Sequence, residues 1–143
     1  MFIGEYQHSL DEKGRIAIPA KFRQDLKKGA VVTKEVDDCL SLYPKAEWKK
    51  YADKLAALPT SKSDARAFIR LKLGSAMDLD IDNQGRMLIP EYLRNDAGLS
   101  KKAIIIGLSN RLEIWSEEKW REYKTKTASN SSEIAEALGE MGV

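Results

Sequence analysis

A nine-residue pattern occurs twice. Asp11-Glu12-Lys13-Gly14-Arg15-Ile16-Ala17-Ile18-Pro19 returns as Asp82-Asn83-Gln84-Gly85-Arg86-Met87-Leu88-Ile89-Pro90, offset by 71 residues. Asp, Gly, Arg, Ile and Pro keep their spacing, and the match runs on through Phe22-Arg23 against Leu93-Arg94 and Asp25 against Asp96. An internal repeat constrains the architecture before any single residue is interpreted. Here it demands two copies of one structural unit.

The repeated stretch has a local physical reading. Gly14 and Gly85 sit where a tight turn needs positive φ, which glycine adopts without steric cost. Asp11 and Asp82, at the turn entries, can accept hydrogen bonds from their own backbone. The apolar runs Ile16-Ala17-Ile18 and Met87-Leu88-Ile89 are short and read as buried strands. Pro19 and Pro90 suit the start of a short helix, where a missing N–H costs nothing. In this reading Arg15–Ile18 returns as the partner of a strand over Ile3–Leu10, and Pro19–Leu26 is a short helix.

The similarity extends beyond the motif. Ala30-Val31-Val32-Thr33 corresponds to Ala103-Ile104-Ile105-Ile106, and Leu40-Ser41-Leu42-Tyr43 to Leu112-Glu113-Ile114-Trp115, the latter pair alternating at the strand period. Helices follow from Pro44 to about Leu58 and from Ser116 to about Thr127, with Trp48 and Tyr51 matching Trp120 and Tyr123. These aromatic stripes read as faces packed on a sheet rather than as platforms for stacked bases. The unit is hairpin, short helix, hairpin, helix. The expected organisation is α+β, with a first repeat over 1–59, a connector over 60–72 and a second repeat over 73–143. Pro59-Thr60-Ser61-Lys62-Ser63 is the linker, Asp64–Leu71 a joining helix capped by Ser63 or Asp64, and Leu73–Ile81 the strand that replays Ile3–Leu10. Gly74-Ser75 is a small pair suited to close backbone approach, and Ser132–Met141 reads as a last short helix.

Composition limits the chemistry. The chain has one cysteine, Cys39, and one histidine, His8, too few for a zinc site within one chain or for a disulfide framework. Cys39 reads as a buried thiol, His8 as an ordinary strand residue and Asp37-Asp38 as turn formers. There is no glycine-rich phosphate loop and no histidine–carboxylate constellation. Asp11 with Asp82 could act as an acid pair only if the two loops were adjacent. The chain therefore reads as a non-enzyme without cofactor or metal. No run reaches the ~18 apolar residues of a membrane span. The start Met1-Phe2-Ile3-Gly4-Glu5 lacks the basic and apolar segments of an export signal, which points to the cytoplasm.

Asp-x-x-Gly-Arg followed by an apolar triplet and Pro, used twice, resembles the MraZ family. So do Met1-Phe2-Ile3-Gly4-Glu5-Tyr6, Asp64-Ala65-Arg66-Ala67-Phe68 and Ile106-Gly107-Leu108-Ser109-Asn110-Arg111-Leu112-Glu113-Ile114-Trp115. The resemblance spans essentially the whole chain. It implies an AbrB-like swapped-hairpin, or double-split, β-barrel duplicated in one chain with flanking helices. It further implies a ring-shaped homo-oligomer at the nucleoid that binds short direct repeats in promoter DNA ahead of the bacterial division and cell-wall genes, usually as a repressor. The family's Asp-x-x-x-Arg signature falls on Asp11 with Arg15 and Asp82 with Arg86. The resemblance makes Arg15, Lys13, Arg86 and Gln84 the DNA-contacting candidates, with Asp11, Gly14, Asp82 and Gly85 orienting the loops. Because Gln84 and Asn83 replace Lys13 and Glu12, the first loop is expected to be the stronger contact.

Two other readings stay open from the residues alone. Arg15 bonded to Asp11 could merely brace the turn. The same barrel could serve as a protein-interaction or antitoxin-like module. The formal charge of +2 adds a constraint. A single faintly basic protomer neutralises too few phosphates for specific binding at cytoplasmic salt, so DNA binding would need several copies acting together.

Overall fold

The computed structural model describes all 143 residues. It is α+β and holds eight strands: β1 (Phe2–Ser9), β2 (Arg15–Ala17), β3 (Ala30–Lys34), β4 (Leu40–Pro44), β5 (Met77–Leu79), β6 (Arg86–Leu88), β7 (Lys102–Ser109) and β8 (Leu112–Ser116). Its α-helices are α1 (Lys45–Ala56), α2 (Ser63–Leu73), α3 (Glu91–Ala97), α4 (Glu117–Ser129) and α5 (Ser131–Ala137). No helix is long and apolar enough to cross a membrane.

Strand pairing crosses between the repeats. A six-stranded antiparallel sheet runs β1-β7-β8-β4-β3-β5, and β2 pairs with β6 in a separate two-stranded ribbon. Exchanging each strand for its repeat equivalent turns the six-strand order into its own reverse. The fold therefore has a pseudo-two-fold axis. In the ribbon, Ile16 pairs with its own equivalent, Met87. In the large sheet, Ser41 pairs with its own equivalent, Glu113. The axis passes through both pairs.

This pairing corrects the simple hairpin reading. The partner of β1 is β7, and β1 meets the strand after its turn only at the Leu10–Ile16 bridge. The partner of β2 is β6. Interlocking lets Ile16, Ile18, Met87 and Ile89, all fully buried, enter one core with Phe22, Leu26 and Leu93. Each such side chain contributes about 1.5–3 kcal/mol on burial. A lone short hairpin would leave that apolar face wet. Two residues of the apolar triplets escape the core: Ala17 is half-buried, and Leu88 is 53% exposed.

The expected helix over Pro19–Leu26 is instead a 3₁₀ turn at Ala20–Phe22, followed by further tight turns. Its counterpart α3 is a true α-helix, closed by Gly98 at φ 63°. The reason lies in length. Eleven positions separate Pro19 from Ala30, and thirteen separate Pro90 from Ala103. With fewer residues, the first copy uses the 3₁₀ form, which rises about 2.0 Å per residue against about 1.5 Å.

The remaining differences are local. Ser63 lies inside α2 rather than capping it, and α2 runs to Leu73, leaving a three-residue β5 against eight residues in β1. Helix α5 begins one residue earlier than expected and ends at Ala137. Gly74 has ordinary helical φ, yet a Cβ there would lie 2.4 Å from the Arg70 carbonyl oxygen. The aromatic stripes pack on strand aromatics. Trp48 and Tyr51 sit 5.5 and 5.4 Å from Tyr43, and Trp120 and Tyr123 sit 5.3 and 4.9 Å from Trp115. Cys39 is buried, and burial pushes its thiol pKa up, as an inert cysteine requires.

Candidate nucleic-acid interface

The two Asp-x-x-Gly-Arg turns have the same geometry. In the first, Asp11 Oδ1 accepts from the backbone N–H groups of Lys13 at 3.0 Å and Arg15 at 2.9 Å. Asp11 Oδ2 accepts from Arg15 Nε at 2.6 Å. In the second, Asp82 Oδ1 accepts from Gln84 N and Arg86 N, each at 2.9 Å, and Asp82 Oδ2 accepts from Arg86 Nε at 3.0 Å. Backbone bonds close both turns, with Gly14 N donating to Asp11 O and Gly85 N to Asp82 O, each at 3.0 Å. Gly14 has φ 88° and Gly85 φ 77°, the conformation that selects glycine.

Both carboxyls are held below the usual aspartate range. The first cause is the backbone N–H of the loop arginine, Arg15 for Asp11 and Arg86 for Asp82, with further hydrogen bonds from its side chain and the loop backbone. They are therefore ionised together. The tertiary structure brings the loops side by side, with Arg86 Nη1 3.9 Å from Asp11 Oδ2. Adjacency does not make the aspartates an acid pair, which would need one of them to hold its proton.

The ribbon β2–β6 sets the direction of the arginines. Ile16 and Met87 point into the core, so Arg15, Ala17, Arg86 and Leu88 lie on the opposite face at the alternation of a strand. Each arginine commits Nε to its aspartate. The terminal guanidinium nitrogens make no hydrogen bond within the protein, leaving a planar donor edge suited to phosphate or to guanine O6 and N7. The turn-bracing contact of Arg15 is thus real, and it uses only one side of the guanidinium. Lys13 and Gln84 are exposed at the loop tips.

Three further residues shape the site. Arg94 of the second copy donates to the Lys13 carbonyl at 2.9 Å and the Ile89 carbonyl at 3.1 Å, lying over Gly14. Arg23 of the first copy donates to the Ile18 carbonyl at 2.9 Å and lies over Gly85. Backbone bonds complete the lock, Ile89 N to Gly14 O at 3.0 Å and Ile18 N to Gly85 O at 2.9 Å. The repeat made Arg23 and Arg94 visible as equivalents, but the loop glycines they cover, and the Lys13 carbonyl that Arg94 binds, lie in the opposite copy. Leu88, opposite Arg15 in the register, puts an apolar side chain among the cations. Only its place within an apolar triplet was legible.

Comparison with known proteins bears on this geometry. Residues 1–71 and 73–139 match the family described as "MraZ protein, putative antitoxin-like". A protein from Syntrophomonas wolfei named "Transcriptional regulator MraZ" is 50% identical over 143 residues, covering all of both chains. A protein of the same name from Limosilactobacillus reuteri is 51% identical over 138 residues, covering 96% of this chain and 97% of the relative. Another from Heliobacterium modesticaldum is 49% identical over 138 residues, covering 96% of each. These names are those of a regulator of transcription and not of an enzyme, in line with the non-catalytic reading of the sequence. The chain belongs to the MraZ family, whose curated relatives are transcriptional regulators.

Proposed function

We propose that this transcriptional regulator binds promoter DNA through the paired Asp-x-x-Gly-Arg loops. In this reading Arg15 and Arg86 contact bases or phosphates, Lys13 and Gln84 flank them, and Asp11, Gly14, Asp82 and Gly85 hold the loops in shape. The observation that carries it is the convergence of two pre-braced arginine turns of the same geometry on one face, with terminal nitrogens that make no hydrogen bond within the protein, Arg86 Nη1 having only a 3.9 Å ion pair to Asp11. Pre-organisation of this kind lowers the ordering cost of binding. The strand exchange across a pseudo-two-fold axis supports an AbrB-like double-split barrel. In it, 1–59 and 73–143 are two halves of one unit, joined by 60–72.

The site is short direct repeats ahead of the division and cell-wall genes, and the action there is repression from a cytoplasmic, nucleoid-associated position. The small net charge of +2 requires several chains to engage together, which a closed ring of head-to-tail contacts provides. Fluorescence anisotropy on a duplex carrying several direct repeats from that promoter, against a shuffled duplex, tests the reading. Arg15→Ala is expected to weaken binding to the repeats by about 10–100-fold, as loss of a bidentate contact does. Binding that ignores the repeats, or that Arg15→Ala leaves unchanged, would return Arg15 to turn bracing and favour a protein-interaction module.

A further inference from the structure

The pseudo-two-fold axis relates the two loops, but the charges around them do not obey it. Strand β1, which leads into the first loop, ends Gln7-His8-Ser9, whereas the equivalent positions before the second loop are Asp78-Leu79-Asp80. The first loop holds Lys13 where the second holds Gln84. The strand exchange then brings a lysine pair to the root of each loop. Ser9 lies opposite Lys102 in the register, and Leu10 N donates to Lys101 O at 2.8 Å, so Lys101 and Lys102 stand beside the first loop and share an open cleft with Asp11 and Gly14.

At the second loop the equivalent pair is Lys27-Lys28, and Leu79 lies opposite Ala30. There Lys45 Nζ and Asp80 Oδ1 lie 3.1 and 3.3 Å from where a Cβ on Gly29 would sit, so an acid and a cation meet beside the pair. All four lysines are exposed, and none has an ion-pair partner within 4.0 Å. Residues 7–15 with 94–102 carry a net two positive charges, while 78–86 with 23–29 carry none. The helix starts that border them, 117–121 with Glu117 and Glu118 beside Lys101 and Lys102, and 45–49 with Lys45 beside Gly29, add none and one, so the first side keeps the higher charge.

We propose that Lys101 and Lys102, with Lys13, form a phosphate-gripping ridge beside Arg15, and that the Lys27–Lys28 side, offset by Asp78 and Asp80, does not grip. Each chain then lies on the duplex in one direction only. This rests on the DNA-binding reading above and deepens it. A symmetric pair of loops matches an inverted site, because operator symmetry mirrors protein symmetry. An electrostatically lopsided pair matches a site with polarity, and copies following one another around a ring then suit repeats that all point the same way. The ridge supplies affinity without sequence information, since phosphate contacts position and base contacts specify.

The test compares wild type, K101Q/K102Q, K27Q/K28Q and Arg15→Ala in a salt series, with direct-repeat and shuffled duplexes. In K101Q/K102Q the slope of log K against log salt should become shallower by about 2 per engaged chain. The preference for repeats over shuffled DNA should stay unchanged. K27Q/K28Q should leave the slope close to wild type, and a probe with alternate repeats reversed should bind more weakly than one with all repeats aligned. Equal slope changes from the two lysine pairs, no change from K101Q/K102Q, or indifference to repeat direction would overturn the proposal while Arg15→Ala still abolishes preference. If wild type shows no preference for repeats, or Arg15→Ala changes nothing, the DNA-binding reading itself falls, and this proposal with it.

Discussion

Gly14 shows how one residue serves both fold and interface. Its φ of 88° costs an L-residue about 1–2 kcal/mol. A Cβ at that position would also fall 1.2 Å from Arg94 Nη1. Gly14→Ala must therefore displace a guanidinium that donates to the Lys13 and Ile89 carbonyls, in addition to straining the turn. Gly14→Ala is expected to lower stability by about 2–4 kcal/mol in urea denaturation. DNA affinity should fall together with it. A variant as stable as wild type would show that the loop tolerates another shape. Gly85, with Arg23 above it, should behave alike.

Among elements, the connector helix α2 is pinned to the sheet by a buried ion pair. Lys72, 1% exposed, donates from Nζ to Glu35 Oε1 and to the Lys34 carbonyl, the latter at 3.1 Å. It lies 5.5 Å from the Tyr51 ring centroid. Burial by itself would raise the pKa of Glu35, but hydrogen bonds from Lys72 and Ser41 more than offset this and hold it below the usual range. A depressed carboxyl stabilises the fold above its unfolded pKa of about 4.3, and that contribution is lost as pH falls through the folded value. Glu35→Ala leaves Lys72 buried without its counter-charge and should cost about 3–5 kcal/mol.

Glu113, on the axis in β8, behaves in the opposite way. Burial first, then the charges of Glu35 and Asp37, raise its pKa, although Trp115 donates to it. Its contribution is present below about pH 4.3 and is lost as pH rises through the elevated value. Glu113→Gln should therefore raise Tm at pH 7 relative to wild type and not at pH 4. A Tm difference independent of pH would contradict this assignment.

For the whole molecule the issue is how a nearly neutral chain holds a polyanion. The loops' own cations, Lys13, Arg15 and Arg86, neutralise about three phosphates, and even with Lys101 and Lys102 added one chain does not sustain specific binding at cytoplasmic salt. Several pairs on one assembly raise affinity through effective concentration, with no new contact at any loop. A substitution that prevents assembly and leaves residues 11–15 and 82–86 folded should abolish specific binding. Sedimentation and anisotropy on the same sample check this. Tight repeat binding by a proven monomer would refute the account.

The sequence by itself determined the duplication, the two arginine turns, the burial of Ile16, Ile18, Met87 and Ile89, and the packing of Trp48 and Trp120 on the sheet. These follow from glycine conformation, strand alternation and apolar spacing, which are local. Tertiary structure decided which copy each strand joins. Antiparallel pairing within a copy and across copies satisfies the same local pattern, and only joint burial of both apolar faces selects the exchange. It also decided the roles of Arg23, Arg94 and Lys72, because Arg23 and Arg94 each cover a loop glycine of the other copy and Lys72 binds Glu35, all distant in sequence. The exposure of Leu88 and the lopsided charge around the loops were likewise settled there. Both depend on strands from opposite repeats lying side by side, a relation that no spacing along the chain encodes.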